Sequence, residues 1–210
     1  MVTTPSSAPA PRGRQRRLGR AQRRDSILTA AARAFAIGGY AATSMADLAE
    51  AAGVSHLIVY RHFDSKRELY IGVLERATDH LSGELEMPGA IGSYGPTPAA
   101  MLAGARADEA GFRILWRHAT REPEFSAWVD AARRVVDADT RDALAPIVPA
   151  GDREWAVRAT SAYVIDAVLH WIEYGDPGLD ERFVAATDAA LAAGVRSWAR
   201  TPRSGRARER

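Results

Sequence analysis

A short glycine turn between two capped helices constrains this chain more than any other feature. Ser44 is followed three residues later by Asp47, a pair that can close a helix N-terminus through reciprocal hydrogen bonds. Gly53 stands where a left-handed residue is needed to end that helix, and Ser55 can cap the next one. The turn is therefore short, and the pattern predicts two brief helices that cross steeply.

The second of these helices is predicted to have the geometry of a DNA-reading element. In such a pair the second helix enters the major groove while the first lies across the phosphate backbone. We expect the inner face of this second helix to consist of Leu57 or Ile58, followed by Tyr60 or Arg61.

Helices on both sides complete a three-helix unit with a further helix behind it. Ser65 and Glu68 repeat the capping pattern and predict a helix that begins at Ser65. Upstream, a predicted first helix ends at Gly38-Gly39 and has apolar residues at helical spacing, namely Ile27, Ala31, Ala34 and Phe35.

Residues 23–74 resemble the N-terminal domain of TetR-family transcriptional regulators. The elements that carry the resemblance, in order, are Gly39-Tyr40, Thr43-Ser44, Leu48-Ala49, Ala52-Gly53-Val54-Ser55, Tyr60-Arg61-His62-Phe63 and Ser65-Lys66 with Leu69. Two positions depart from the family pattern, since Leu57 and Ile58 stand where Gly and Thr are frequent. A hydroxyl that could contact the DNA backbone is therefore missing at position 58.

The resemblance implies roles for several side chains of this unit. Tyr60 would offer its hydroxyl to a phosphate, and Lys66 would hold another together with the amide groups that begin its helix. Arg61 would read a guanine, because its two-pronged guanidinium matches the two acceptors of that base. Two of these residues could instead have structural roles. Tyr60 could be a core aromatic with its hydroxyl at the surface, and His62 could form a hydrogen bond with the nearby backbone. The residues predicted to contact DNA are Arg23, Arg24, Thr43, Ser44, Ser55, His56, Leu57, Tyr60, Arg61, His62 and Lys66.

Composition limits the remaining chemistry. The chain has 210 residues, is 47% hydrophobic and contains no cysteine, so it can bury a full core but forms neither disulfides nor thiolate metal sites. Its five histidines are scattered without metal-ligand spacing, and we expect no metal and no cofactor. No segment is apolar enough for a secretion signal or a membrane span, and we expect a cytoplasmic protein without membrane partners.

Positive charge is concentrated at the two ends of the chain. Residues 12–24 contain seven arginines and no acidic residue, and residues 200–210 are also rich in arginine. We predict that residues 1–22 form a disordered basic arm that orders along DNA, and that residues 200–210 form a disordered basic tail. The alternative is a solubilising tail in an arginine-rich proteome, in keeping with the single lysine of the chain, Lys66.

The sequence predicts an all-α fold of about nine helices without a sheet. An N-terminal helix-turn-helix head spans residues 23–70, and a helical bundle for ligand binding and dimerisation spans residues 71–199. The capping, proline and periodicity signals of the bundle predict helices at about 65–82, 98–105, 108–118, 123–145, 152–174 and 180–199.

The last two predicted helices are candidates for a homodimer interface. Residues 162–172 are almost entirely apolar, so this helix must be covered on more than one side. The resemblance implies that both helices pair with those of a second copy, while the alternative is that they form monomer core. The predicted interface residues are Val164, Val168, Trp171, Phe183, Ala190, Leu191, Gly194 and Trp198.

Side chains in the middle of the bundle are candidates for lining a small-molecule cavity. Core packing is the alternative for each of them. Asp166 and His170, four residues apart, are predicted to form a hydrogen-bonded pair or else part of a solvated stripe. The complete candidate set is Met101, Trp116, His118, Phe125, Trp128, Tyr163, Asp166 and His170.

These observations together predict a DNA-binding transcriptional regulator that is not an enzyme. We expect a repressor that binds a palindromic operator in double-stranded DNA as a homodimer and is released by an unidentified small molecule. The alternatives are a ligand-independent regulator and a helical protein-interaction module. No nucleophile motif, zinc-peptidase motif or phosphate-binding glycine loop is present in the sequence.

Overall fold

A computed structural model describes residues 19–200, with the backbone alone for residues 199 and 200. The basic segments 1–18 and 201–210 lie outside the described residues. Within residues 19–200 the prediction of an all-α fold with nine helices is confirmed. The helices are α1 (Arg20–Ala42), α2 (Met45–Ala51), α3 (His56–Tyr60), α4 (Lys66–Leu85), α5 (Pro98–Ala107), α6 (Glu109–Arg113), α7 (Ser126–Leu144), α8 (Ala150–Tyr174) and α9 (Asp180–Arg200).

The first helix begins earlier than the predicted boundary of the basic arm. Residues 20–22, which were expected to be disordered, form the first turn of α1. The amide of Gly19 donates to Oε1 of Gln22 at 3.2 Å, so the glutamine three residues on closes the helix end. Near the other end, Gly39 adopts a φ of 75° and interrupts the helical geometry before α1 finishes at Ala42.

The expectation that the chain has no sheet is wrong at one point. Two short strands, β1 (Ile91–Gly92) and β2 (Gly95–Pro96), pair in antiparallel register within the Pro/Gly stretch. Gly95 has a φ of 109°, and a Cβ there would lie 2.6 Å from Oγ1 of Thr140. Only glycine therefore fits where this hairpin rests against α7.

The middle of the bundle is less regular than the predicted helix 108–118. After α6 the chain continues as a π-helical segment, Ile114–His118, and then as a 3₁₀ turn, Ala119–Arg121. A second 3₁₀ turn, Pro123–Phe125, precedes α7, so the proline opens that turn rather than the long helix.

The head is built from α1, α2 and α3 around a continuous apolar core. Ile27 and Phe35 of α1, Leu48 of α2, Val59 of α3 and Phe63 are all buried. Burial of these five side chains fixes how α2 and α3 cross, and it determines which side of α3 remains outside.

The long helix α4 connects the head to the body. Its C-terminal half packs closely on α5, because a Cβ at Gly104 would lie 3.1 Å from Cα of Leu81. Farther along the chain, α8 packs against α5, α7 and α9. The sides of α8 that face these three helices are therefore covered within one chain.

Aromatic and ionic contacts join the head to the body. Tyr70 of α4 lies 5.0 Å from Phe35, 4.9 Å from Tyr40 and 4.5 Å from Phe125, measured between ring centroids. Burial raises the pKa of Tyr70, since the ring cluster excludes water from its hydroxyl.

Arg76 of α4 is the principal ionic link of this joint. Its Nη2 donates to Oδ2 of Asp108 at 2.7 Å, and its Nη1 donates to Oγ1 of Thr29 at 2.6 Å. The side chains of Arg76 and Asp108 are only 11% and 9% exposed, so water screens their attraction weakly.

Candidate nucleic-acid interface

The first helix of the predicted motif begins with the expected reciprocal cap. The amide of Ser44 donates to Oδ2 of Asp47 at 2.8 Å, and the amide of Asp47 donates to Oγ of Ser44 at 3.2 Å. The hydroxyl of Ser44 also donates to Oδ2 of Asp47 at 2.7 Å, and the two bonds that the carboxylate accepts from the Ser44 backbone and side chain lower its pKa. The hydroxyl of Ser44, predicted to contact DNA, thus also closes α2.

The turn between α2 and α3 depends on Gly53, which has a φ of 61°. The next amide, that of Val54, donates to the carbonyl of Ala49 at 3.0 Å and closes the end of α2. Ser55 occupies the N-cap position of α3 but makes no side-chain capping bond, which corrects the predicted cap. Its exposed hydroxyl lies at the entrance to α3.

The inner face of α3 differs from the prediction. Val59 is fully buried, whereas Leu57 is 63% exposed and Tyr60 is 43% exposed. Ile58, one of the residues predicted for the inner face, is half-buried and packs against the core, whereas Tyr60 and Arg61 lie outside because α3 has only five residues.

Four of the predicted DNA-contacting side chains, those of His56, Leu57, Tyr60 and Arg61, are exposed on α3 and at its C-terminal end. The rings of His56 and Tyr60 meet edge to face at 4.7 Å between centroids, which orders both side chains. We call these four residues the reading face. It offers an aromatic hydroxyl, an imidazole, an apolar side chain and a guanidinium outside the core.

Thr43 and Lys66 are occupied by other partners. Thr43 is 6% exposed, and its hydroxyl donates to the carbonyl of Gly39 at 2.7 Å, so the predicted DNA contact of Thr43 is contradicted. Nζ of Lys66 donates to the carbonyls of Tyr40 at 2.8 Å and Ala41 at 3.2 Å. The ammonium thus binds the last carbonyls of α1, and its predicted contact with a phosphate stays a prediction.

The first turn of α1 brings positive charge to the corner that follows α3. The pKa of His62 is lowered, first by burial and then by the nearby charges of Arg20, Arg24 and Arg23. The guanidinium of Arg24 also lies 4.8 Å from the centroid of the Phe63 ring. Arg20 was predicted to lie in the basic arm that orders along DNA, whereas the structure places it in the first turn of α1.

Most of the predicted ligand-binding residues belong to the core or to its margin. Met101 and Phe125 are fully buried, and Phe125 packs in the aromatic cluster between head and body. Trp116 is 6% exposed and its Nε1 lacks a hydrogen-bond partner, while burial lowers the pKa of half-buried His118. Trp128 lies beneath the guanidinium of Arg67.

The other three predicted ligand residues lie on the outside of α8. Tyr163, Asp166 and His170 are all exposed. Nδ1 of His170 lies 2.7 Å from the backbone carbonyl of Asp166, so the bond runs to the main chain rather than between the two side chains. This is the solvated stripe given as the alternative, and these residues do not meet Met101 or Phe125 in a common cavity.

The predicted dimer residues divide between core and surface. Val164, Val168 and Leu191 are buried inside the chain and therefore cannot form the face that meets a partner. Trp171 and Phe183 are half-buried and stack at 4.7 Å, with the indole of Trp171 donating to Asp180 at 2.6 Å. The remaining predicted residues reach the surface, with Ala190 exposed and Gly194 and Trp198 half-buried.

Sequence analysis missed an aromatic stripe on the outer side of α8. Trp155 is 48% exposed, Tyr163 41% and Tyr174 76%, and the ring of Trp155 meets that of Trp198 on α9 at 5.0 Å. Together with Asp166 and His170, these residues recur every three, four or eight positions along one helix face. That spacing was visible in the sequence, but the neighbouring apolar run obscured it.

Two further searches cover the described part of the chain alone. Across residues 19–200 there is no group of three or more His, Cys, Asp or Glu side chains arranged to hold a metal ion. None of the helices between these limits combines the length and the apolar character needed to cross a membrane.

Residues 27–73 match a family model described as "Bacterial regulatory proteins, tetR family". The HTH-type transcriptional activator FasR of Mycolicibacterium smegmatis is 34% identical over 127 residues, which are 57% of this chain and 57% of that protein. The HTH-type transcriptional repressor KstR2 of Rhodococcus jostii is 39% identical over 66 residues, 31% of this chain and 32% of that protein. The matched segments thus span about half of the first relative and a third of the second.

A solved structure supports the fold over most of the chain. It is described as AibR in complex with isovaleryl coenzyme A and operator DNA. The similarity covers 81% of this chain and 97% of that one, with a TM-score of 0.55 and 20% sequence identity. At this identity the similarity establishes the shared fold of head and body.

Proposed function

We propose that this protein, whose residues 27–73 belong to the tetR family of bacterial regulatory proteins, is a ligand-responsive transcriptional repressor. It binds a palindromic operator in double-stranded DNA as a homodimer, and a small molecule releases it. The observation that carries the proposal is the reading face of α3, which holds Arg61 and three further polar, aromatic or apolar side chains outside a complete head core.

The chemistry of the reading face suits the edges of bases in a major groove. Arg61 can donate two parallel hydrogen bonds to a guanine, and Leu57 can pack on a thymine methyl group. The hydroxyl of Tyr60 and the free amides at the start of α4 can bind phosphates on either side. Arg20, Arg23 and Arg24 add positive charge beside this face, so α1 supports a backbone contact.

A homodimer would present two reading faces to one side of the duplex. In two-fold dimers of this kind the recognition helices lie about 34–36 Å apart, one turn of DNA. The aromatic stripe of α8, with Trp198 of α9, supports pairing because it leaves large apolar rings in contact with water. We therefore assign the interface to the outer faces of α8 and α9.

Release by a ligand requires that the ligand bind one arrangement of the heads better than another. The link between head and body runs through α4, whose Arg76 binds residues of α1 and of the α5–α6 corner. AibR, by its description, holds an acyl coenzyme A and operator DNA, which makes an acyl thioester a reasonable first effector to test. The proposal includes no catalytic step and places the protein in the cytoplasm, where its operator is.

Two alternatives remain distinct from this proposal. FasR is described as an activator, so DNA binding by this chain could raise transcription rather than repress it. A ligand-independent regulator or a helical protein-interaction module would keep the same head and body. An interaction module, however, would have no use for the reading face.

A mobility-shift assay on the DNA upstream of the chain's own gene tests the proposal. We expect a specific complex that excess random duplex does not displace at moderate ionic strength. Arg61→Ala should weaken this preference, whereas Arg134→Ala, a matched charge loss on exposed α7, should not. Binding of all fragments with equal affinity would contradict the proposed function.

A further inference from the structure

A cleft of about 490 Å³ lies between the head and the body. One wall is the side of α1 that carries Asp25, Thr29 and Arg33, and the floor is Arg76 and His80 of α4. The opposite wall is the α5–α6 corner, with Arg106, residues 107–110 and Arg113. This volume is within the range of small-molecule sites, which is about 300–1,000 Å³.

The acidic side chains of the cleft are already neutralised by their neighbours. Asp108 accepts from Nε and Nη2 of Arg76 at 3.0 and 2.7 Å. Glu109 pairs with Arg106 at 2.5 Å and with Arg113 at 3.6 Å. Asp25 lies 3.4 Å from Nη1 of Arg76. None of these carboxylates is therefore a strong candidate for binding a cation.

Donors of N–H bonds, by contrast, remain available in the cleft. Arg33 and His80 are exposed on its two helical sides, and neither forms a hydrogen bond or ion pair with another residue between positions 19 and 200. On the opposite wall, Nε of Arg113 is buried and has no hydrogen-bond partner within the described part of the chain. The unmatched groups of the cleft are thus all donors of N–H bonds.

From this arrangement we propose that the cleft binds the phosphate groups of a small effector, with Arg33 and His80 as its principal ligands. Guanidinium groups match phosphate oxygens in geometry, and Arg33 has no carboxylate partner among residues 19–200. The inference rests on the proposed function in one respect, since it takes the bound molecule to be the effector that controls DNA binding. It names the chemical class, a phosphate ester or a diphosphate.

The location of the cleft separates it from the phosphates of the operator. His80 is fourteen residues beyond Lys66 along α4, a distance of about 21 Å at the helical rise of 1.5 Å per residue. Lys66 is the first residue of α4 and follows Arg61 of the reading face by five positions along the chain. A phosphate in the cleft therefore belongs to a diffusible molecule rather than to bound DNA.

The cleft also offers a route from ligand to head. A phosphate next to Arg76 competes with Asp25, whose side chain is 68% exposed and is the weaker partner at 3.4 Å. Loss of that contact frees one link between α1 and α4 while the buried pair with Asp108 persists. The ligand then favours a different angle of the head, and its affinity and that of the operator become coupled.

Isothermal titration calorimetry on the full-length protein without DNA tests this site. The probes are inorganic phosphate, pyrophosphate and coenzyme A. We expect coenzyme A or pyrophosphate to bind, and Arg33→Gln to weaken that binding at least tenfold, with a smaller loss for His80→Gln. Arg134→Gln, the exposed control on α7, should leave it unchanged. Circular dichroism should show that all variants keep the wild-type helix content.

The probes also identify the source of the phosphate. Pyrophosphate that binds as tightly as coenzyme A indicates that the phosphates alone are recognised, whereas binding of coenzyme A only indicates a nucleotide that carries them. No binding by any probe, or equal binding by wild type and Arg33→Gln, overturns the inference. Failure of the site is distinguishable from failure of the proposed function, because the mobility-shift assay without ligand reports on DNA recognition alone.

Discussion

Two exposed faces of this molecule differ in the partner that their chemistry fits. The reading face of α3 combines Arg61 with Tyr60 and lies near the arginines at the start of α1. The aromatic stripe of α8 exposes large rings, those of Trp155 and Tyr174 among them. A polyanion matches the first face, and a second apolar surface matches the second. Recognition and assembly are therefore separable, and variants in one face should leave the other intact.

The largest expected effect comes from the core that supports the reading face. Leu48→Ala removes a fully buried side chain of the head and should destabilise the head by about 2–5 kcal/mol. Operator binding should be lost while sedimentation velocity still shows a dimer, because the body packs independently of α2. Glu50→Ala, exposed on the same helix, is the control. Joint loss of DNA binding and dimerisation would mean that the two faces are not separable.

Arg61→Ala should weaken operator binding by about 1–3 kcal/mol, since the two bonds to one base are lost. Its thermal unfolding should match wild type, because Arg61 is exposed and outside the core. Fluorescence anisotropy with operator variants measures the affinity and identifies the base pair at which the variant no longer discriminates between sequences. A uniform loss on all sequences would instead assign Arg61 to the phosphate backbone.

Trp155→Ala should raise the dimer dissociation constant about tenfold, or about 1.4 kcal/mol, by removing the ring that meets Trp198. Analytical ultracentrifugation over a concentration series measures this change. Tyr94→Ala, a half-buried aromatic of the hairpin loop away from α8 and α9, controls for the loss of an aromatic ring in itself. An unchanged constant would move the interface off the outer face of α8.

Lys66→Met should cost about 1 kcal/mol of head stability, because its ammonium binds two carbonyls at the end of α1. The salt dependence of operator binding should stay the same. If Lys66 instead neutralises a phosphate, the slope of log affinity against log salt will change by about 0.9. This variant therefore decides between a tie within the head and a direct contact with DNA.

The smallest effect concerns pH. The pKa of His62 lies below its ordinary value of 6.5 because of burial and the arginines of α1, and the pKa of His118 is lowered by burial and by Arg121 and Arg117. The unfolded chain therefore takes up these protons first as the pH falls, so stability should decrease below about pH 6.5. His62→Gln and His118→Gln should each flatten urea-denaturation midpoints plotted against pH. Steeper curves in these variants would contradict the sign.

Features of the head that depend on nearby residues were predictable from the sequence. Ser44 and Asp47 bond to each other across three positions, and Gly53 ends α2 through its own backbone conformation. Because these interactions are local, the spacing of the residues in the sequence was enough to predict them. The count of nine helices followed from the same local signals. Contacts with distant partners were not predicted, as for Lys66, which binds carbonyls 26 and 25 positions away.

The packing of the body was harder to predict from the sequence, because several faces of its helices are apolar. On α8 both the buried Val168 and the exposed Tyr174 suit an apolar neighbour, and composition does not say which of them meets it. The packing of α5, α7 and α9 around α8 determines which of its apolar side chains are buried. The same holds for the cleft, whose arginines come from helices far apart in the chain.

By itself the amino-acid sequence determined the all-α class and the capped turn, because helix periodicity and caps act over one or two turns. Only the tertiary structure decided that Thr43 faces inward, that Lys66 closes α1, and that Arg76 joins head to body. These roles depend on which helices meet and at what angle. Burial across the whole chain sets that geometry, and no short segment encodes it.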